Sequence, residues 1–145
     1  MFERFTPKAR RVIFFSRYEC ASYNATALGP EHVLLGLLRE DRNLTQKLTG
    51  APLDTESIRA EVAANMQPTT TPASPLDPKL TDATKCALAL AAKESEQLGH
   101  AHIGTGHLTL GLLAEGNSLA ARILNARGVR LEAYREHLRT APSAE

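Results

Sequence analysis

The segment Gly29-Pro30-Glu31-His32-Val33-Leu34-Leu35-Gly36-Leu37-Leu38 recurs as Gly104-Thr105-Gly106-His107-Leu108-Thr109-Leu110-Gly111-Leu112-Leu113. A stretch this dense in leucine is apolar on all sides and predicts a helix buried over most of its surface. A short buried strand is the competing reading. Leu rather than Val or Ile dominates, and both flanks carry helical periodicity, so the helix is preferred. Gly36 and Gly111 lower helix propensity in mid-segment, and each predicts close approach by a neighbouring helix.

The same offset of 75 residues, Gly29 to Gly104, extends outward without a gap. Identical pairs include Thr6/Thr81, Glu19/Glu94, His32/His107, Leu35/Leu110, Glu40/Glu115, Leu44/Leu119 and Ala51/Ala126. Conservative pairs include Arg10/Lys85, Ile13/Leu88, Leu28/Ile103 and Leu48/Ile123. Self-similarity at one fixed spacing marks a repeat architecture. Thr6 and Thr81 suit the N-cap of a first helix, because a hydroxyl there accepts from a free backbone N–H. The stripe Ala9, Ile13, Ser16, Cys20, Tyr23 and its counterpart Thr84, Leu88, Ala91, Ser95, Leu98 step by four and three, a helical period. Asn24 and Gly99 are end signals for these helices. The third helix is expected over Leu44 to Ala51 and Leu119 to Ala126, the fourth over Asp54 to Asn65 and Arg130 to Leu138.

The expected fold is therefore all-α: two tandem four-helix repeats forming a pseudo-twofold eight-helix domain, with no sheet. The domain is placed at residues 1–141, with repeat 1 about 5–66, a linker at 67–79 and repeat 2 about 80–139. Gln67 to Pro78 holds Pro68, Pro72, Pro75 and Pro78 among Thr and Ser residues, a composition that favours an extended connection.

Composition narrows function. Among 145 residues the net charge is +1, so no basic footprint for nucleic acid exists. Trp is absent and aromatics make up 5%, too few for a base-stacking platform. No apolar run reaches the length of a membrane span, and the N-terminus lacks the order of a signal peptide. Cys20 and Cys86 form no CxxC pair and read as reduced thiols of a cytoplasmic protein. His100, His102 and His107 lack the spacing of a zinc site, so no metal or other cofactor is expected. His32 and His107 are expected instead to hydrogen-bond across the start of the buried helix. No nucleophile elbow or activated Cys–His signature points to catalysis. Lys8, Arg10, Arg11 and Arg17 make a basic face on the first helix, with a solvated surface as the plain reading.

Several segments together resemble the N-terminal domain of ClpC-type Hsp100 unfoldases, a Clp repeat domain. They are Met1-Phe2-Glu3-Arg4-Phe5-Thr6, Leu98-Gly99-His100, Ile103 to Leu112, and Ala120-Ala121-Arg122-Ile123-Leu124-Asn125-Ala126-Arg127-Gly128-Val129. The resemblance covers both repeats. It implies a non-enzymatic module that docks adaptor or substrate proteins for an ATP-driven unfoldase–protease system, with a Clp ATPase as a further partner. The alternative is a stand-alone regulator that competes with or stabilises a Clp assembly without delivering substrate. No GxxxxGK[ST] phosphate loop is present, so ATP binding of the unfoldase type is not expected. The chain departs from the family at Asn24-Ala25, where Gly-His is frequent.

The resemblance also implies a phosphoarginine site. Helix N-termini at Thr6 and Thr81 would offer N–H groups to the phosphate, and Glu31 a carboxylate to the guanidinium. Gly106 stands where the second repeat would carry that carboxylate, so recognition is expected in the first repeat alone. The plain alternative is that Thr6 and Thr81 are N-caps and Glu31 a first-turn residue favoured by the helix dipole. A peptide or adaptor groove is expected where the two first helices begin, lined by Phe2, Arg10, Leu80 and Lys85. Phe2 and Leu80 could equally be hydrophobic staples at the helix starts.

Overall fold

Thr6 and Thr81 each accept from the backbone N–H three residues on, Ala9 at 3.1 Å and Thr84 at 3.1 Å. The helices they open are α1, Pro7–Ser22, and α5, Asp82–Gln97. The computed structural model describes residues 2–66 and 78–140. After each long helix the chain turns through a left-handed residue, Asn24 at φ 57° and Gly99 at φ 73°. It then enters α2, Pro30–Glu40, or α6, Thr105–Glu115. These four helices keep the 75-residue offset at both ends.

The second half of each repeat is less regular. In the second copy Ser118 Oγ accepts from Ala121 N–H at 3.2 Å and starts α7, Leu119–Ala126, as expected. The first copy has α3, Gln46–Thr49, a single turn in place of the expected Leu44 to Ala51. The Asp41 carboxylate accepts from Asn43 N–H at 3.0 Å and winds the preceding chain into a turn. Gly50, at φ 83°, ends the helix. The last helices, α4, Thr55–Ala64, and α8, Leu131–Thr140, are related by 76 residues rather than 75. Asp54 caps α4 by accepting from the N–H groups of Glu56 and Ser57.

The α2 and α6 helices form the centre, each packed along its own long helix and in contact with the other. Leu34, Leu35, Leu37, Leu110 and Leu112 are buried. The close approach predicted at the two glycines is present. A Cβ on Gly36 would lie 2.6 Å from the Val12 carbonyl oxygen, and one on Gly111 would meet the Ala87 carbonyl.

Two short parallel pairings depart from the expectation of no sheet. The strand β1, Ala27–Leu28, pairs with β2, Lys79–Leu80, and Phe5 bridges Ile103. The offset maps one pairing onto the other with the repeats exchanged, Phe5 to Leu80 and Leu28 to Ile103. Thr6 N–H donates to Ile103 O at 3.0 Å, and Thr81 N–H to Leu28 O at 3.1 Å. The residues before each long helix are extended and partly buried, and the other repeat satisfies their backbone groups. Two residues carry no periodicity, so no sequence pattern announces them. Of the expected linker, only Pro78 and Lys79 fall among the described residues, and Lys79 is paired. Among those residues no helix is long and apolar enough to cross a membrane.

Candidate functional site

The exchange of backbone between repeats shapes the surface near the starts of α1 and α5. A cavity of about 190 Å³ opens between them, lined by Phe2, Ile13, Arg17, Leu28, Leu80 and Leu88 among others. A second, of about 250 Å³, is lined by Phe5, Lys85, Leu88, Ala89, Ala92 and Ile103. The offset turns Ile13 into Leu88, Leu28 into Ile103 and Arg17 into Ala92, so the two hollows are pseudo-symmetric and share Leu88. Phe2 stacks edge-on against Phe5 with ring centroids 5.0 Å apart. Both hollows are apolar inside, with Arg17 and Lys85 as their cations.

The predicted groove residues are placed as follows. Phe2 and Leu80 line the first hollow and Lys85 the second. Arg10 lines neither, and its guanidinium donates to the Glu3 carbonyl at 3.4 Å. Ile13, Arg17 and Leu88 were missed as lining residues. Ile13 and Leu88 match across the repeat, but on one helix they are indistinguishable from the core stripe.

Thr6, Glu31 and Thr81 are arranged differently from the expected first-repeat site. Both threonine hydroxyls are engaged as N-caps. Thr6 pairs with Ile103, beside Gly104 to Gly106, whereas Thr81 pairs with Leu28, beside Gly29 to Glu31. The N-terminus brought alongside the Glu31 segment is thus that of α5, from the other repeat. Glu31 borders an open cleft with Asn65, Met66, Leu119 and Arg122. The equivalent place in the second repeat is filled, since a Cβ on Gly106 would lie 2.7 Å from the Leu138 side chain.

The histidines do what was expected of them. Gly29 N–H donates to His32 Nδ1 at 2.9 Å, and Gly104 N–H to His107 Nδ1 at 2.9 Å. An accepting Nδ1 puts the proton of the neutral ring on Nε2. In the second repeat His107 Nε2 lies 2.8 Å from His100 Nδ1. In the first, Ala25 occupies the position of His100, and His32 Nε2 is buried without a hydrogen-bond partner. Burial pushes the His32 ring below the ordinary histidine range, against the opposing pull of Glu31 and then Glu19.

Two carboxylates that match across the repeat, Glu19 and Glu94, are buried. Glu19 takes both arms of Arg59, at 2.6 and 2.8 Å, and one of Arg39 at 3.1 Å. Burial alone would raise its carboxyl, but the bonds from Arg59 and Arg39 outweigh that and hold it below the usual range. Glu94 is held by Arg135 at 2.7 and 2.9 Å. Among the described residues no group of three or more His, Cys, Asp or Glu is placed to hold a metal. Shape and charge make the surface near the starts of α1 and α5 suited to binding an apolar segment that bears negative charge.

The profile of the Clp repeat (R) N-terminal domain family matches residues 4–127 and 79–143. The chaperone ClpB of Oceanobacillus iheyensis is 35% identical over 95% of this chain, which spans 17% of that protein. The negative regulator of genetic competence ClpC/MecB of Bacillus subtilis is 34% identical, with the same two coverages. The N-terminal domain of the ClpD chaperone from Arabidopsis thaliana superposes with a TM-score of 0.75 at 27% identity, covering 94% of this chain and 95% of that one. The ClpV N-domain in its complex with a VipB peptide shares the fold, with a TM-score of 0.73 at 16% identity over 94% of this chain and 86% of that one.

Proposed function

Because the chain belongs to the Clp repeat (R) N-terminal domain family, we propose that it docks adaptor or substrate proteins for a Clp/Hsp100 unfoldase–protease system in the cytoplasm and catalyses no reaction itself. The observation that carries this reading is the pseudo-symmetric pair of apolar hollows near the starts of α1 and α5, with Arg17 and Lys85 as their cations. An occupant would bury apolar side chains against Phe2, Leu80 and Leu88 and set carboxylates toward the cations. A ClpV N-domain of the same fold is known in complex with a peptide, which supports a peptide-sized occupant. Arg10, which lines neither hollow, would act at the rim.

Phosphoarginine, if held, would use Glu31 and the N-terminus of α5 at Thr81, a site composed from both repeats. The pairing of Thr81 with Leu28 supports that assignment, and Leu138 over Gly106 supports a single site. Binding of unfolded casein, followed by fluorescence anisotropy, tests the groove. The double substitution Phe2→Ala with Lys85→Ala is expected to weaken it at least about tenfold, the loss of one buried aromatic contact and one charge. Unchanged binding would overturn the assignment.

A further inference from the structure

The two long helices differ on the surface turned away from the hollows. Tyr18 on α1 is 56% exposed, and its counterpart on α5 is Lys93. The guanidinium carbon of Arg39 lies 4.7 Å over the Tyr18 ring and 5.2 Å over that of Phe15. Arg39 has Ala114 as its counterpart, so this stack exists in one repeat only.

The ion pairs of this face share one orientation. Glu19 is 1% exposed, while its partners Arg39 and Arg59 are 37% and 35% exposed. Glu40 is 8% exposed and its partner Arg11 51%. Each pair keeps its carboxylate inside and turns its cation to solvent. Arg42 adds a cation with no ion-pair partner among the described residues. Beside the stack opens a largely polar cleft of about 840 Å³, walled by Arg39, Arg42 and Arg59, with Phe15 and Leu53 as half-buried apolar patches in it. Of the carboxylates at its edge, Asp54 is engaged in capping α4, and Glu56 stands on the first turn of that helix. No residue of this cleft lines the hollow of Phe2 and Leu80.

We propose that Tyr18, Arg39, Arg42 and the cleft form a second docking surface for an acidic segment of a partner protein that carries a large apolar side chain. That side chain packs in the cleft against Phe15 and Leu53, and flanking carboxylates take the outward edges of Arg39 and Arg42. A guanidinium stacked on aromatic rings keeps its N–H edges free for such bonds and is weakly hydrated, so little is lost on burying it. A face-to-face pairing with a second copy is disfavoured, because it would set Arg39 and Arg42 of one copy against those of the other.

The surface shares no lining residue with the hollow of Phe2 and Leu80, so variants can address each alone. A short labelled peptide alternating Glu and Leu around one Phe is titrated by fluorescence anisotropy, beside a version with Gln for every Glu. Arg42→Glu and Tyr18→Ser, both at exposed positions and checked for fold by circular dichroism, should each weaken the acidic peptide at least about tenfold, the loss of a charge-assisted bond or an aromatic contact. Lys85→Ala should leave it unchanged, and the Gln peptide should bind at least about tenfold more weakly. Full binding by Arg42→Glu, equal affinity for the Gln peptide, loss in Lys85→Ala, or no binding at millimolar peptide would each overturn the proposal. So would a single-stranded oligonucleotide that displaces the peptide and shows the same Arg42 dependence, which would give the face to nucleic acid.

Discussion

His32 and His107 occupy equivalent places and differ by one neighbour. His107 Nε2 has His100 as its partner, and His32 Nε2 has none. A buried donor left unmatched carries its desolvation cost without return. Ala25→His should therefore supply the missing acceptor and raise stability by about 0.5–1.5 kcal/mol, the worth of one hydrogen bond, in urea melts at pH 7.5. A fall in stability would show that the first repeat has no room for the second ring. The same residue sets a pH response. The folded ring titrates below the ordinary value of 6.5, so the stabilisation from neutral His32 is complete above that value and lost as pH falls beneath it. Glu19 is also depressed, from 4.5, so its contribution is present above that value and lost as pH falls further. Urea midpoints should decline in two stages on acidification, with the upper stage absent in His32→Gln. A single stage in the parent protein would contradict the assignment.

At the scale of elements, the packing of α1 on α2 and of α5 on α6 rests on two glycines. The atoms nearest to a Cβ on Gly36 include the Val12 carbonyl and the Ser16 backbone nitrogen, and on Gly111 the Ala87 carbonyl and the Ala91 backbone nitrogen. Backbone atoms cannot rotate away as a side-chain tip can, so the helices must separate. Gly36→Ala and Gly111→Ala should each cost about 1–3 kcal/mol, as overpacking does, although Ala is the better helix former. Thermal melts measure this, and unchanged or raised stability would mean the pairs slide apart freely. On the same helices Leu35→Ala and Leu110→Ala should cost about 2–5 kcal/mol, the range for truncating a buried leucine. A loss below about 1 kcal/mol would be at odds with their burial.

At the scale of the whole molecule, neither repeat completes its own helix starts. Phe5 and Thr6 lean on Ile103, and Leu80 and Thr81 on Leu28. Further links cross the same boundary. Arg4 reaches Glu96 at 3.2 Å, Arg127 reaches Glu61 at 3.2 Å, and the Tyr134 hydroxyl donates to Leu44 O at 3.3 Å. Residues 1–66 or 78–145 expressed alone should therefore show weak helicity without a cooperative melt, while the full chain unfolds in one transition. A half that melts cooperatively by itself would show that the repeats are independent.

Much of this was legible in the residues alone, and the reason is locality. Caps at Thr6 and Thr81, ends at Asn24 and Gly99, the leucine-dense centre and its glycines act within a few residues, and helical spacing carries them. The repeat offset then doubles every reading, which is how the eight helices among the described residues, their order and the buried leucines follow from sequence. The shortened α3 was hidden because one turn at Asp41 and Asn43 outweighs an apolar pattern carried by Leu44 and Leu48. Tertiary structure alone decided which repeat completes which. Sequence places a threonine and a carboxylate in each half-chain's own frame, but the fold sets Thr81, not Thr6, beside the Glu31 segment. It also chose the partners of Glu19 from two other helices and gave Ile13 and Leu88, still packed in or against the core, a second place as lining of the hollows. Such pairings join segments far apart in the chain, and their energy lies in packing across the pseudo-twofold interface, where periodicity has no record of them.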